Sequence, residues 1–334
     1  MSHNNQTIWS TLAQAISGKE TNLEGFDDET IIDNVNLNGI GPLLDHHVHL
    51  GTIGGLSDTV CSHFRQESRA QATFTLLLDD STRKILDLLD QHKIPVLLLK
   101  GTPVAHLYYE NPYQRSRCDT DIYIGEEHTK ISAELLASRG YMVSGLEIRK
   151  HSSKQFVATK IALKDILMHF DVHFKLSNRV MFRATLPFED CYKNRQAVTA
   201  LGPNAYALSP VDLLLHACIH RIAHGRNTER NRLIWLYDIH LLVESMDEAE
   251  LTRFHEKALQ RSIGVLCADA LEVIKSLFDT NLPPELIEAL KGNKKNEPSA
   301  RLIHSIKLRW AWADMQSLKG IKEKAAFAKE LLLG

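Results

Sequence analysis

One stretch of the chain, residues 94–124, constrains the fold more than any other. It opens with the apolar run Ile94–Leu99, which is typical of a buried strand, and breaks at Gly101. It ends in an Asp-Thr-Asp sequence followed by apolar residues typical of a second strand. Because side chains alternate along a strand, Asp119 and Asp121 share one face. Two carboxylates beside a glycine turn and cationic side chains suit a magnesium-bound triphosphate.

A third carboxylate is predicted on a later strand. The segment 165–176 is apolar at its start and alternates afterwards, so His169, Asp171, His173 and Lys175 share one face. Two metal ions that bridge a triphosphate and an attacking hydroxyl require about three carboxylates. Asp171 would complete that set. Alternatively, it is a charge at a strand edge that pairs with Lys175.

Size and composition restrict the class of protein. The 334 residues allow two or three structural units. The formal net charge of −2 supplies no general basic field, which argues against nucleic acid as a partner. The five cysteines form no CxxC pair, which favours a reducing cytoplasm. The amino terminus lacks the pattern of a signal peptide, and no apolar run approaches the roughly 20 residues of a membrane span.

Apolar periodicity predicts an α+β chain in three parts. These are an N-terminal helical region at residues 1–68, a central unit with a mixed sheet at 69–205, and a C-terminal all-α region at 206–334. The predicted helices cover residues 6–17, a turn at 30–35, 56–92, 102–110, 127–138, 209–224, 233–243, 248–260, 263–279, 284–291, 299–315 and 319–333. The predicted strands cover residues 94–100, 119–124, 141–143, 153–159, 161–163 and 165–176.

The segment 56–92, predicted to form one or two helices, has an amphipathic pattern. Leucine and isoleucine side chains form its apolar face, whereas Asp79, Arg83 and Lys84 are assigned to the opposite, polar side.

Two histidine clusters leave alternatives open. The segment 45–49, Asp-His-His-Val-His, is either a metal site or a solvated or packed cluster, and is compatible with a strand or a helix. His216, His220 and His224 are spaced at i, i+4 and i+8, which makes one stripe on a helix that also carries Asp212. The stripe lines a pocket, packs as buried polar groups, or binds a metal.

A basic loop at residues 226–232 is either solvated or in contact with a phosphate or an acceptor.

The order of these motifs resembles a known family. The chain is similar to the bacterial uncharacterised nucleotidyltransferase family, within the DNA polymerase β-type superfamily, over roughly residues 70–245. The motifs that carry the resemblance are Leu99-Lys100-Gly101, the aromatic Leu107-Tyr108-Tyr109, Arg115, Asp119-Thr120-Asp121 and Asp171-Val172-His173. The Gly-Ser turn usual in the superfamily is Gly101-Thr102 here, which keeps a hydroxyl, and Lys100 adds a cation.

The resemblance implies a magnesium-dependent transfer, with Mn²⁺ as the alternative metal. A nucleoside monophosphate would pass from a nucleoside triphosphate to a hydroxyl of a small-molecule, sugar or protein acceptor, and pyrophosphate would leave. Asp119 and Asp121 would hold both metal ions, and Asp171 would complete the acceptor-side metal and help to deprotonate the hydroxyl.

The resemblance also implies a set of nucleotide-binding residues: Lys100, Gly101, Thr102, Arg115, Arg117 and His173. Of the two arginines, Arg115 is the preferred one for neutralising the charge on the phosphate oxygens. Arg117 either shares this role or is a solvated residue beside it. His173 either touches the substrate or orients Asp171. In the alternative structural interpretation, Lys100 is a surface lysine, and the Asp-x-Asp pair caps a turn and pairs with the two arginines.

Three rival functions remain open at this point. A phosphotransferase on the same scaffold would move the γ-phosphate instead of the nucleotide. A catalytically inactive binding module would share the fold alone. A metal-dependent hydrolase would be built on the histidines.

Overall fold

The computed structural model describes residues 3–146, 154–177, 179–224, 230–292, 297, 300, 307–318 and 320–333. A mixed seven-stranded sheet is flanked by helices, and the C-terminal region is helical, which confirms the predicted α+β class. The helices of this part of the chain are α1 (His3–Ile16), α2 (Asp28–Asn38), α3 (Gly41–His49), α4 (Asp58–Gln91), α5 (Gly101–Tyr108), α6 (Thr129–Ser138), α7 (Phe188–Lys193), α8 (Pro210–His224), α9 (Leu233–Glu244), α10 (Glu248–Gln260), α11 (Gly264–Phe278), α12 (Leu286–Lys291), α13 (Lys307–Ser317) and α14 (Ile321–Leu333). Its strands are β1 (Thr21–Asn22), β2 (Ile53–Gly54), β3 (Val96–Leu99), β4 (Asp119–Ile124), β5 (Met142–Ser144), β6 (Gln155–Ile161), β7 (Leu167–His173), β8 (Gln196–Ala197) and β9 (Tyr206–Ala207).

The large sheet has the strand order β5-β6-β7-β4-β3-β9-β8. Its central strand, β4, is parallel to β7 and antiparallel to β3. Strand β9 extends the sheet parallel to β3, although it lies beyond the predicted end of the central unit. The centre of the sheet therefore brings together three strands that are widely separated in sequence.

The two faces of the sheet bury different cores. One face carries Leu98, Ile122 and Phe170 and packs against α4 and α6. The other face carries Leu97 and Leu99, which belong to the core shared with α8 and α9. Because side chains alternate along β4, the residues on either side of Ile122 point towards α8.

Helix α4 is one continuous helix of 34 residues, where the sequence predicted one or two. The Ser57 hydroxyl begins it by accepting a hydrogen bond from the amide of Val60 at 3.2 Å. Its apolar face is confirmed, but the assignment of Asp79 to the polar side was wrong: that residue is only 5% exposed. Residues 68 and 69 both lie within α4, and the division of the chain at this point stays a prediction.

The N-terminal region contains more helix than the sequence predicted. The turn predicted at residues 30–35 is the longer helix α2, capped by the Asp27 side chain and ended by Gly39 in the left-handed conformation. Helix α3 follows at once and contains the histidine segment 45–49.

Most of the other predicted elements match closely. The strand predicted at residues 119–124 is β4 to the residue. The two strands predicted at 153–159 and 161–163 are replaced by the single strand β6, which ends at Ile161 and pairs with β7 along its whole length. Leu163 instead begins a short 3-10 turn, and residue 153 lies outside the described residues.

Three C-terminal predictions fall partly outside the described residues. They are the predicted helix 299–315 at residues 299 and 301–306, the predicted helix 319–333 at residue 319, and the predicted basic loop at residues 226–229. None of the helices in the described part of the chain is long and apolar enough to cross a bilayer.

Candidate active site

The three predicted carboxylates lie on one face of the sheet centre. Asp121 on β4 is paired in register with Leu99 on one side and with Asp171 on the other. Asp119 lies two residues away and shares the same face. This face is the one covered by α8. The alternation inferred from the sequence therefore does bring the three side chains together.

Lys100 supplies a cation directly against this cluster. Its ammonium donates a hydrogen bond to Asp121 Oδ1. Burial alone would lower the pKa of Lys100, but Asp121, Asp119 and Asp171 outweigh it and raise the pKa. Lys100 also has φ = 52°, a backbone conformation that favours glycine. Such local strain is characteristic of functional sites.

His173 holds Asp121 from the other side. Its Nε2 lies 2.7 Å from Asp121 Oδ1, and the imidazole is almost completely buried. In the sequence interpretation, His173 either touches the substrate or orients Asp171; in the structure it contacts Asp121, which is paired in register with Asp171 on the neighbouring strand. Burial alone would raise the pKa of Asp121, but Lys100 and His173 outweigh it and lower the pKa. Asp121 is therefore ionised.

Asp119 has the opposite electrostatic environment. Burial, together with the negative charges of Asp121 and Asp171, raises the pKa of its carboxyl to about 6. Lys100 offsets only part of this effect. Three carboxylates with one ammonium between them therefore leave uncompensated negative charge at the sheet centre.

The donor set fits a divalent cation. Asp121, Asp171 and His173 each offer one ligand atom, and these three atoms all lie within 4.8 Å of one another. Carboxylates suit Mg²⁺ and Mn²⁺, and an imidazole is accepted by Mn²⁺ and other transition metals. The uncompensated charge around Asp119 provides a second reason for a cation here. The metal-competent group among the described residues thus contains His173 in place of Asp119, and the predicted role of Asp119 as a metal ligand stays a prediction.

Arg115 is engaged in a buried ion pair that the sequence did not reveal. Its Nε and Nη2 donate to the two carboxylate oxygens of Asp238 at 2.9 and 2.8 Å. The hydroxyl of Tyr109 donates to the same carboxylate at 2.8 Å. The contacts join the segment before β4 to helix α9. Arg115 still borders the cleft described below, and its role towards phosphate stays a prediction.

Arg117 and Thr102 are part of a second buried network. Arg117 donates to Thr102 Oγ1 and to Asp79 Oδ1, both at 3.1 Å. The hydroxyl of Thr102 lies 3.4 Å from that of Thr120, and Thr102 is 1% exposed. The threonine hydroxyl is thus directed into the protein. The two arginines pair with Asp238 and Asp79, not with the Asp-x-Asp sequence.

Gly101 makes the close packing of these arginines possible. A Cβ atom at this position would lie 3.3 Å from Arg115 Cζ and 3.4 Å from Arg117 Cγ. The absence of a side chain therefore keeps both guanidinium groups against the turn that follows β3.

The carboxylates open into a large cleft of about 1240 Å³. Helix α4 contributes Gln71 and Phe74 to one wall, and α8 and α9 contribute His216, His220 and Trp235 to the other. The rings of His220 and Trp235 meet edge to face at 4.8 Å. A volume of this size accommodates a nucleotide together with part of an acceptor.

The histidine stripe of α8 contributes to this cleft. His216 is 3% exposed, and burial, with the positive charge of Lys100, lowers its pKa to about 3. The imidazole is therefore neutral. The side chain of His224 lies outside the described residues, and the metal-competent group among the described residues contains neither His216 nor His220.

The histidines of residues 45–49 lie in helix α3 and differ in burial. His47 is buried and its Nε2 lies 3.1 Å from the carbonyl of Ile16, whereas His49 is exposed and its Nδ1 lies 2.7 Å from the carbonyl of Asp45. These contacts favour the interpretation of the segment as a solvated or packed cluster over a metal site.

Sequence reasoning missed the buried role of Asp79, the Arg115 contact of Asp238, and Lys154, which borders a small recess together with Lys100 and His216. For Asp79 a signal was present: Thr75, Asp79 and Thr82 recur at helical spacing and all three are buried. The sequence predicted the helix at residues 233–243 that carries Asp238, but not the partner of this side chain. Nothing in the local sequence distinguishes Lys154 from the other lysines.

Comparison with known proteins gives one finding. A family model described as an uncharacterised nucleotidyltransferase matches residues 24–279, a wider range than the resemblance inferred from the motifs. A search of curated proteins found no match to the chain.

Proposed function

The chain belongs to the family of uncharacterised nucleotidyltransferases, and from that membership we propose a specific reaction. A hydroxyl of a small-molecule, sugar or protein acceptor attacks the α-phosphorus of a nucleoside triphosphate, and a nucleoside monophosphate is transferred. The observation that carries the proposal is the placement of Asp119, Asp121 and Asp171 on one sheet face, beside Lys100 and at the floor of the cleft.

The bonds of this reaction balance without a further reactant. The acceptor oxygen forms a bond to the α-phosphorus as the bond from that phosphorus to the bridging oxygen breaks. The electron pair of the broken bond stays with the leaving pyrophosphate, and the proton of the hydroxyl passes to the Asp171 carboxylate. Asp171 suits this role because it borders the cleft and is only partly buried.

Each residue of the cluster has a role that follows from its contacts. Asp121, held from both sides by Lys100 and His173, is the ionised anchor for a cation. Asp119 and Asp171 complete the negative site. When bound, Mg²⁺ or Mn²⁺ supplies Lewis-acid polarisation of the phosphate oxygens and of the acceptor hydroxyl. Lys100 borders the cleft and places a positive charge where the phosphates would bind.

In this proposal, each part of the chain contributes a different part of the site. Residues 69–205 supply the reacting groups, the N-terminal region and α4 supply one wall, and residues 206–334 supply the wall that carries Trp235 and the histidines. The free thiols of the five cysteines suit a reducing cytoplasm as the place of the reaction.

The test is transfer of label from α-labelled nucleoside triphosphates in the presence of Mg²⁺ and pooled acceptors. We expect pyrophosphate release that falls at least 100-fold in Asp121→Asn, because the anchor of the cation is lost. Asp80→Asn, an exposed carboxylate on α4, is the matched control and should retain activity.

Product mass separates the proposal from its rival. Gain of a nucleotide supports nucleotidyl transfer, whereas gain of a phosphate alone identifies γ-phosphate transfer. A wild-type protein that binds no nucleotide with either metal refutes both.

A further inference from the structure

A small recess extends from the main cleft past Lys100 and His216. It lies between the loop after β7 and helix α8, and Lys154, Leu176 and Ser177 close its far side. Its volume is about 10 Å³, which is room for about one oxygen-sized atom. Because Lys100, His216 and His220 border both spaces, the recess opens from the cleft beside the carboxylates.

The recess has a positive electrostatic environment. Lys100 and Lys154 both border it, and no carboxylate is among the described residues that do so. Burial, together with the charge of Lys100, lowers the pKa of Lys154 to about 8, and the charges of Asp121 and Asp171 offset only part of this effect. A half-buried ammonium repelled by a second ammonium is stabilised by an anion placed between them.

The donors of the recess are available to a ligand. Within the described residues, the ammonium of Lys154 has no hydrogen-bonding or ion-pair partner. Ser177 accepts a hydrogen bond from the amide of Arg179 at 3.0 Å, which leaves its hydroxyl proton free to donate. His216 adds a neutral imidazole at the mouth. A lysine, a hydroxyl and an imidazole around one oxygen-sized space are typical of the recognition of a phosphate oxygen.

We propose that this recess, built by Lys154, Ser177 and His216 with Lys100, seats a terminal phosphate oxygen of the nucleoside triphosphate. The inference rests on the proposed function and deepens it, because it assigns the residues that hold the leaving pyrophosphate. In this arrangement the carboxylates face the α-phosphorus, and the two lysines face the phosphates that depart. Lys100 then bridges the two regions, because it contacts Asp121 and borders the recess.

The experiment is calorimetric titration of the full chain with inorganic pyrophosphate, a nucleoside triphosphate and a nucleoside monophosphate. Each ligand is titrated with Mg²⁺ and again without metal, so that binding is measured independently of activity. The variants are Lys154→Met and Ser177→Ala. Lys84→Met removes the same charge from an exposed site and is the control.

We expect Lys154→Met to weaken pyrophosphate and triphosphate binding at least tenfold. Monophosphate binding should change less than twofold, because a monophosphate lacks the terminal groups. Ser177→Ala should weaken pyrophosphate binding about threefold to tenfold, and Lys84→Met should match the wild type. Since Ser177→Ala changes neither charge nor volume greatly, it tests the recess even where Lys154→Met fails to fold.

The outcomes separate the two proposals. Wild-type affinity of both variants for pyrophosphate overturns the recess as a phosphate site and leaves the proposed function standing. An equal loss of monophosphate binding also overturns it, since the recess would then not distinguish the terminal phosphates. A protein that binds pyrophosphate through Lys154 but binds no nucleotide keeps the recess as an anion site and refutes the proposed function.

Discussion

Replacement of Asp119 by asparagine should stabilise the metal-free protein while abolishing its activity. The structure raises the pKa of this carboxyl from 3.8 to about 6, because burial and two neighbouring carboxylates disfavour its charge. At neutral pH that penalty corresponds to at most about 3 kcal/mol, since each tenfold change in an ionisation constant corresponds to about 1.4 kcal/mol. Asp119 is only partly buried, so screening by solvent reduces the expected gain to about 1–3 kcal/mol.

The pH dependence gives the effect a signature. A carboxyl whose pKa is raised in the folded state binds its proton more tightly there than in the unfolded chain. The penalty is therefore absent below about pH 4, grows as the pH rises through 6, and is complete above that value. The gain from Asp119→Asn should be about half as large at pH 5 as at pH 7.5.

The assay is urea unfolding of both proteins in EDTA at these two pH values. Asp80→Asn, in an exposed pair with Lys84, is the control and should change the free energy of unfolding by less than about 0.5 kcal/mol. Saturating Mn²⁺ should stabilise the wild type more than the variant and reduce the difference between them. A variant that is less stable than the wild type at pH 7.5, or a difference that is the same at both pH values, would refute the reasoning.

Three further predictions concern other parts of the molecule. Asp238→Ala leaves a buried arginine without its partner and should cost about 3–5 kcal/mol in urea unfolding, against less than about 1 kcal/mol for Lys84→Ala in an exposed pair. His173→Gln should lower the affinity for Mn²⁺ by about 10–100-fold in a spin-resonance titration, because Asp121 loses a fixed partner; an unchanged affinity would exclude that role. Leu98→Ala, at a fully buried position of the central sheet, should cost about 2–5 kcal/mol, whereas Leu76→Ala, at a position 72% exposed, should cost little; equal losses would contradict the described packing.

The sequence predicted best where local periodicity and burial agree. Strand β4 was predicted to the residue because its alternation places Asp119 and Asp121 on one side and Ile122 on the other. The same alternation placed Asp171 on the matching face of β7. The register that places Asp121 opposite Asp171 was not predicted, because a shift of two residues between the strands keeps the same side chains on the same face.

Prediction failed where a side chain is oriented by a distant partner. Thr102 has the hydroxyl expected of a phosphate turn, but Arg117 and Thr120 draw that hydroxyl inward. Arg115 is paired with Asp238, which lies in another helix far along the chain. A single sequence carries no record of such pairings, because each residue alone is typical of an exposed charge.

Helix α2 was underestimated for a different reason. Its asparagine-rich sequence has weak intrinsic helix preference, and the helix depends on the Asp27 cap, the Gly39 terminus and the burial of Ile31 and Val35. Helix capping and burial against other elements stabilise this helix, and the apolar periodicity of the sequence reveals neither.

The continuous helix α4 has a mechanical consequence for the cleft. Its 34 residues form a rod about 51 Å long, whose first half packs on α3 and whose second half packs on the sheet. The opposite wall is fastened to the same sheet through the buried contacts of Asp238. Motion of either wall as a separate body would bend α4 or separate Asp238 from Arg115. We therefore expect the cleft to keep its shape, and we expect a change of acceptor among relatives to arise from side-chain replacements on its walls rather than from hinge motion.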